Sequence, residues 1–185
     1  QNLDLLLSNI QDLLVEQTVN KIAADYYHIS QWLEQNAASD YEFIIIDAPA
    51  STSPISINAI LAADLIIVPL ECEALAIKSL KRFLQAFKEL QKNIEPGLRL
   101  AGILLTMYDD EILSHQQVCR QIYQTLGDSV FETIIPNCPY ILEASSMGID
   151  VIQRHLNSEG ATGYIRLANE LLDRFLLPKS EELSQ

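Results

Sequence analysis

One acidic side chain, Asp47, ends the apolar run Phe43–Asp47 and precedes a turn of small residues and proline. This order is typical of a buried parallel strand that brings a carboxylate to the carboxyl edge of a sheet, where α/β proteins bind ligands. In a phosphate-binding fold, such a carboxylate would hold Mg²⁺, directly or through water. A plainer interpretation stays open, in which Asp47 caps the following turn near Ser51 or Ser53.

The other half of a nucleotide site, a glycine-rich phosphate loop, does not occur in the sequence. No segment has the form G-x-x-x-x-G-K-[ST]. The backbone amides of such a loop cradle phosphates, and its lysine neutralises their charge. Because positioning and electrostatics supply nearly all of the catalysis of phosphoryl transfer, we expect this chain alone neither to bind ATP tightly nor to hydrolyse it.

The elements that must position Asp47 alternate between strand and helix. Near-continuous apolar strands separated by amphipathic helices predict an α/β fold, a mostly parallel sheet with helices on both faces. The predicted strands, besides the short apolar run Leu3–Leu7, are Phe43–Asp47, Leu65–Leu70, Leu98–Thr106 and Val130–Ile135. The predicted helices are Val19–Gln35, Ser53–Ala62, Leu75–Gln91, Glu111–Leu126 and a last helix after Gly160, with Ala161, Tyr164, Ala168, Leu171, Leu172 and Phe175 on one side.

Composition limits the partners of this chain. Its 185 residues carry 12 basic and 25 acidic side chains, a formal net charge of −13. Such a surface repels nucleic acid and anionic lipid on average, although acidity often serves solubility alone. The cysteines Cys72, Cys119 and Cys138 have no C-x-x-C spacing, which indicates a reducing compartment. We therefore expect a cytoplasmic protein that does not bind membranes.

Several segments, in the same order and at family spacing, resemble the ParA/Soj family of partitioning ATPases, deviant P-loop enzymes related to MinD. The resemblance runs from about Asn2 to Phe175, so we expect one ATPase domain over 1–177 and a polar tail over 178–185. The segments are Asn-Leu-Asp-Leu-Leu at 2–6, Tyr-Glu-Phe-Ile-Ile-Ile-Asp-Ala-Pro-Ala-Ser at 41–51, Ile-Asn-Ala at 57–59 with Ala-Ala-Asp at 62–64, Val-Pro-Leu-Glu-Cys-Glu at 68–73, Gly-Ile-Leu-Leu-Thr-Met-Tyr-Asp at 102–109, Val-Phe-Glu-Thr-Ile-Ile-Pro at 130–136 and Ser-Glu-Gly-Ala at 158–161.

The resemblance implies an ATPase that partitions chromosomes or plasmids, or positions another large cargo. ATP and Mg²⁺ would join two subunits into a homodimer, the dimer would bind nonspecific DNA or another surface, and a ParB-like protein would stimulate hydrolysis. The positions that match the family's nucleotide site are Asp47 for Mg²⁺, Pro49, Ala50 and Ser51 for the switch that senses the γ-phosphate, and Thr106 and Pro136 beside the adenine.

The sequence departs from the family pattern at its front end. The family places its first strand and its phosphate loop before the point that corresponds to Gln1. Without that strand, the sheet beside Asp47 would expose an unpaired edge, which proteins rarely tolerate. We therefore expect the natural protein to be longer, the alternative being that a partner supplies a strand.

A second departure concerns DNA. Family members that bind DNA carry arginines at the positions of Asn137, Tyr140 and Glu159. A carboxylate repels phosphates, so we expect DNA binding to be weak or lost. One basic concentration remains, and it is either the solvated side of a helix or a displaced phosphate-binding strip. Its members are Lys78, Lys81, Arg82, Lys88, Lys92 and Arg99.

Other polar clusters favour structural roles. We expect Glu71 and Glu73 to stabilise the start of the following helix, and the carboxylates beside Cys72 to disfavour its thiolate. We expect Asp109 and Asp110 to form a solvated turn and a helix cap. The leading function is the ATP-dependent switch, and the alternative is a non-catalytic ParA-like module that binds a protein partner.

Overall fold

The computed structural model describes residues 3–6, 25–37, 40–49, 51 and 53–175. The chain divides into two compact units, Gln1–Ile66 with Gly97–Arg99 and Ile67–Pro96 with Leu100–Gln185. Residues 19–24 of a predicted helix, Ala50 and the tail at 178–185 lie outside the described residues. The described elements, in chain order, are α1 (His28–Asn36), α2 (Pro54–Leu61), β1 (Leu65–Glu71), α3 (Ala74–Asn93), β2 (Arg99–Thr106), α4 (Leu113–Leu126), a 3₁₀ turn (Gly127–Ser129), α5 (Pro139–Ser146), α6 (Val151–Arg154) and α7 (Glu159–Phe175).

The first unit contains α1 and α2. Helix α2 begins at Pro54, where proline needs no hydrogen-bond partner, and this confirms the helix predicted there. Asn58 of α2 is fully buried. Its carboxamide accepts from the Ile29 N–H at 2.8 Å and donates to the Asp25 carbonyl. The buried amide therefore ties the first turn of α1 to α2.

The strand predicted over Phe43–Asp47 is wrong, as is strand character at residues 3–6. Both segments lack regular secondary structure. The Ile45 side chain is 94% exposed and that of Phe43 is 54% exposed. A strand exists only where a neighbour supplies ladder hydrogen bonds, and none of the described residues pairs with the backbone of Phe43–Asp47. The apolar pattern is thus present without the pairing that it requires.

The second unit contains nearly all of the sheet. Strands β1 and β2 pair, and α3 connects them, the crossover expected of neighbouring parallel strands. This confirms the α/β class and the strands predicted at Leu65–Leu70 and Leu98–Thr106. The core of this unit joins both strands to α3, α4 and the chain after α4. Its buried members are Leu70, Cys72, Leu80, Ile103, Leu105, Val118, Ile122 and Val130.

Helix α3 has the predicted two faces. Leu80 and Phe87 are buried, and the Phe83 and Phe87 rings stack with centroids 6.1 Å apart. The basic residues of α3 are all exposed on the other face, which favours the solvated-surface interpretation of the basic concentration. Those residues are Lys78, Lys81, Arg82, Lys88 and Lys92.

The strand predicted over Val130–Ile135 is also wrong, although this segment follows β2 in parallel. It is bridged to β2 between Ile103 and Val130, and a second isolated bridge joins Tyr108 and Pro136, just beyond the two segments. The ladder fails at Thr133, the next donor after Phe131 that would face β2, because its N–H donates to the Glu170 carboxylate of α7. A backbone donor satisfied by a distant carboxylate cannot extend a sheet, so the segment is irregular.

The remaining helices match the predictions with local differences. Helix α4 starts at Leu113 and ends before Gly127, whose φ of +48° favours glycine. The predicted Asp cap of α4 is wrong, because Asp109 accepts from the Glu111 N–H at 2.9 Å and closes a turn ahead of the helix. The predicted apolar side of α7 is partly wrong, since Tyr164 and Leu172 are 40% and 39% exposed. No helix within the described ranges is long and apolar enough to cross a membrane.

Candidate functional site

The proposed Mg²⁺ ligand, Asp47, is exposed and lies in the first unit, in irregular chain rather than at a strand end. The alternative, in which Asp47 caps the turn before α2, gains no support, because the side-chain hydrogen bonds of that turn among the described residues join serines and the Pro49 carbonyl. An exposed carboxylate oxygen is a suitable ligand for Mg²⁺, since Mg²⁺ sites combine one or two carboxylates with phosphates and water.

The proposed switch, Pro49–Ser51, is held by a cluster of serine hydroxyls. Ser51 Oγ lies 2.8 Å from Ser56 Oγ and 2.9 Å from Ser53 Oγ. Ser56 Oγ donates to the Pro49 carbonyl at 3.0 Å. Ser56 is only 1% exposed, whereas Ser51 is exposed. A buried hydroxyl of α2 therefore fixes the turn whose outer hydroxyl, that of Ser51, remains accessible.

Sequence reasoning missed Ser56. Its hydroxyl also lies 3.1 Å from Ser53 Oγ, so each serine of the cluster contacts the other two. The signal was present in the spacing Ser-x-Ser-Pro-x-Ser over 51–56, which places three hydroxyls around the first turn of a helix that begins with proline.

The residues proposed for the adenine side, Thr106 and Pro136, lie in the second unit at the carboxyl end of β2. Thr106 is the last residue of β2, and its carbonyl accepts from the Cys72 N–H at 3.2 Å. Pro136 is bridged to Tyr108. The Tyr108 N–H donates to the Ile135 carbonyl at 3.2 Å, and the Asn137 N–H donates to the Tyr108 carbonyl at 2.7 Å. The structure thus brings both predicted residues to the same edge.

Cys72 is a buried core residue that lies just before α3. Burial, and to a lesser extent the nearby Cys119, raises the pKa of the Cys72 thiol to about 11. A thiol with so high a pKa is a poor nucleophile, as predicted, but desolvation rather than the flanking carboxylates is the main cause. Glu73 is the N-cap residue of α3, although its side chain makes no capping hydrogen bond.

The positions that hold arginine in DNA-binding relatives are all on the surface. Asn137, Tyr140 and Glu159 are exposed. Tyr140 stacks on the ring of His155 with centroids 4.5 Å apart. Glu159 opens α7, where a carboxylate interacts favourably with the helix dipole. Tyr140 and Glu159 therefore each have a local interaction at the positions where the resemblance implied arginine.

Comparison with known proteins identifies the family of this chain. A family model described as an AAA domain matches residues 1–100, which include Asp47 and Pro49–Ser51. The chromosome-partitioning ATPase Soj of Thermus thermophilus is 40% identical over 134 residues, 72% of this chain and 54% of that protein. The chain belongs to the ParA/Soj family of partitioning ATPases. The sporulation initiation inhibitor protein Soj of Bacillus subtilis is 32% identical over 171 residues, 92% of this chain and 67% of that protein.

Solved structures place this ParA/Soj family member among the P-loop ATPases. Cobyrinic acid a,c-diamide synthase from Mycobacterium smegmatis, with bound ADP and magnesium, matches with a TM-score of 0.68 and 25% identity over 86% of this chain and 59% of that one. The septum site-determining protein MinD from Pyrococcus horikoshii, complexed with Mg-ADP, matches with a TM-score of 0.61 and 23% identity over 80% and 57%. The predicted ParA/MinD-type fold is thus confirmed. The chain spans about half the length of the Thermus relative.

Proposed function

We propose that this chain belongs to an ATPase that partitions DNA or positions another large cargo by switching between monomer and ATP-bound homodimer. The observation that carries the proposal is the family match over residues 1–100, which includes the acid and the turn of the site, together with 40% identity to a chromosome-partitioning ATPase. We further propose a cytoplasmic location, ATP with Mg²⁺ as cofactors, and a ParB-like protein as activating partner.

In this proposal each part of the site has one task. Asp47 holds Mg²⁺ with one carboxylate, and bound Mg²⁺ would neutralise charge on the phosphates. Ser51 presents its hydroxyl towards the γ-phosphate, and Ser56 keeps the turn in place from within α2. Thr106 and Pro136 border the base. Switch segments of this kind couple the presence of a γ-phosphate to a change in protein contacts.

DNA binding by this chain is proposed to be weak or absent. Glu159 and Asn137 are exposed where relatives use arginine, and the net charge is −13. For random duplex DNA at physiological salt we expect a Kd weaker than about 1 μM, because few cations oppose the phosphates. Fluorescence anisotropy across a salt series measures it.

The matched variant for that measurement is Asn137→Arg with Glu159→Arg, which adds two cations and removes one anion. It should raise affinity and steepen the salt dependence. A submicromolar, salt-sensitive Kd for the unmodified chain would contradict the proposal and would turn attention to the exposed cations of α3.

The runner-up is a non-catalytic module that binds a protein partner. The observations that favour it are the absence of G-x-x-x-x-G-K-[ST] from these 185 residues and the exposed Asn137, Tyr140 and Glu159. The coding sequence upstream of Gln1 discriminates between the two functions. A Lys-Gly-Gly-Val-Gly-Lys-Thr-like stretch supports the enzyme, whereas a nearby start codon supports the module.

The direct test uses a longer form that carries such a loop ahead of Gln1. Light scattering with and without Mg-ATP then reports the monomer–dimer equilibrium, and phosphate release reports turnover. The proposal requires both a nucleotide-dependent dimer and hydrolysis. A non-catalytic module would show neither a nucleotide-dependent dimer nor hydrolysis.

A further inference from the structure

Helix α7 lies along the irregular segment Val130–Ile135, which was predicted to be a strand, and along Pro136, which follows it. The two run in opposite directions: the end of α7 meets the start of the segment, and the start of α7 meets its end. The contacts, in order, are Arg174 with 128–131, Glu170 with 132–133, Gly163 with 134–136 and Gly160 with Cys138 and Ile141.

Glu170 takes the place of a neighbouring strand. One oxygen of its carboxylate accepts from the Glu132 N–H at 2.8 Å, and the other accepts from the Thr133 N–H at 2.9 Å. The side chain is only 13% exposed. The Thr133 N–H is the one that would otherwise face β2, and the Glu132 N–H faces away from β2. A charged acceptor makes stronger hydrogen bonds than a neutral carbonyl. The two bonds to the Glu170 carboxylate are therefore stronger than bonds to strand carbonyls would be.

The electrostatics of Glu170 fit this task. Burial by itself would raise the pKa of Glu170, but hydrogen bonds from Thr133 and Glu132 and the charge of Arg174 lower it overall. A carboxylate whose pKa is lowered by folding stabilises the folded chain above the unfolded pKa, and that stabilisation is lost as the pH falls through the folded value. At neutral pH the ionised, accepting form is fully present.

Arg174 completes the attachment. Its guanidinium pairs with the Glu170 carboxylate at 2.5 Å, one turn away on α7. It also donates to the Val130 carbonyl at 3.3 Å and to the Asp128 carbonyl at 3.4 Å, and it lies 5.1 Å from the centroid of the Phe131 ring. Arg174 therefore binds two carbonyls at the start of the segment, and Glu170 binds two amides farther along it.

Two glycines let the first half of α7 come close to the far end of the segment. A Cβ on Gly163 would lie 3.3 Å from Pro136 Cδ and 3.3 Å from Ile135 Cδ1. A Cβ on Gly160 would lie 2.7 Å from Ile141 Cγ1. The backbone of α7 at Gly163 therefore lies close beside Pro136, while Glu170 and Arg174 bind the chain that precedes Pro136.

We propose that Glu170 and Arg174 are positioning residues that set the place of Pro136 at the carboxyl edge of β2. They act through the segment. Because α7 fixes residues 128–133, the chain that follows is held where the Tyr108 N–H can donate to Ile135 and the Asn137 N–H can donate to Tyr108. The consequence for adenine binding rests on the proposed function, whereas the positioning itself does not.

The test is amide hydrogen exchange of the 185-residue chain, resolved by residue. In Glu170→Ala, the amides of Glu132 and Thr133 should exchange about tenfold faster, the effect of losing a charge-assisted hydrogen bond. The amides of Tyr108 and Asn137, which Glu170 does not touch, should exchange at least about threefold faster because Pro136 is released. Glu170→Gln, which keeps one acceptor oxygen, should lie between Glu170→Ala and the unmodified chain.

Asp173→Asn is the matched control, because it removes an exposed carboxylate from the same helix beside Glu170 and Arg174. It should leave all four amides unchanged. Two results overturn the proposal: acceleration confined to Glu132 and Thr133, which makes Glu170 a local cap, or no acceleration at either. Should Glu170→Ala fail to fold, Glu170→Gln and Arg174→Lys decide by the same comparison.

A second arm separates this inference from the proposed function. In a longer form with a phosphate loop, ADP affinity should fall in Glu170→Ala and stay unchanged in Asp173→Asn. If the unmodified longer form binds no ADP, the proposed function fails, and the exchange experiment still decides whether Glu170 and Arg174 position Pro136.

Discussion

The 185-residue chain by itself is expected to hydrolyse no ATP above background. Hydrolysis requires donors and cations around the phosphates, and a single oxyanion donor is worth about 10²–10³ in kcat. The sequence contains no phosphate loop, and the described acid of the site, Asp47, is an anion that repels triphosphate unless Mg²⁺ intervenes. We therefore expect turnover at least about 10⁴-fold below that of a form with the loop.

Phosphate release at saturating Mg-ATP measures this rate, and titration calorimetry measures affinity on the same sample. A chelator control identifies contaminating ATPases that do not depend on Mg²⁺. Measurable, Mg²⁺-dependent turnover by the purified chain would refute the expectation, because the phosphates would then have a cradle that the sequence does not reveal.

The second large effect is expected for Asp47→Asn in a longer form that carries a phosphate loop. The substitution keeps the size and one oxygen of the side chain but removes the charge that holds Mg²⁺. We expect kcat to fall by about 10²–10⁴, with a smaller change in nucleotide affinity, because the metal stabilises charge that develops in the transition state.

Glu42→Gln is the control for that experiment, since it removes an exposed carboxylate five positions away along the sequence. It should leave kcat unchanged within about twofold, as expected of a surface charge away from the phosphates. An Asp47→Asn variant with the kcat of the unmodified protein would assign Asp47 a purely structural role.

Patterns that are complete within a short window gave correct predictions. Helix α3 repeats its apolar residues on one face over twenty residues, Ala74–Asn93. Strand β2 is a mostly apolar run that lies between two helices in the sequence. Proline and glycine marked the start of α2 and the end of α4. The resemblance supplied the family and also Thr106 and Pro136, which lie at the same end of β2.

Features that depend on distant residues could not be predicted. Phe43–Asp47 has the pattern of a strand, but pairing is a property of neighbours, and none of the described residues pairs with it. Val130–Ile135 lacks a continuous ladder because the Thr133 N–H donates to Glu170, a carboxylate 37 positions away. Nothing in a window around either segment signals this. Ser56 was accessible to sequence reasoning, because it belongs to the same short serine spacing as Ser51.

The central claim is that this chain forms the acid and switch side of a nucleotide-driven dimer. Its most direct test is multi-angle light scattering of a form extended by a phosphate loop, with ADP and with a non-hydrolysable ATP analogue in the presence of Mg²⁺. The account predicts a monomer with ADP and a dimer with the analogue, and loss of the dimer in Asp47→Asn. One mass under both nucleotides, with no measurable binding of either, would contradict it.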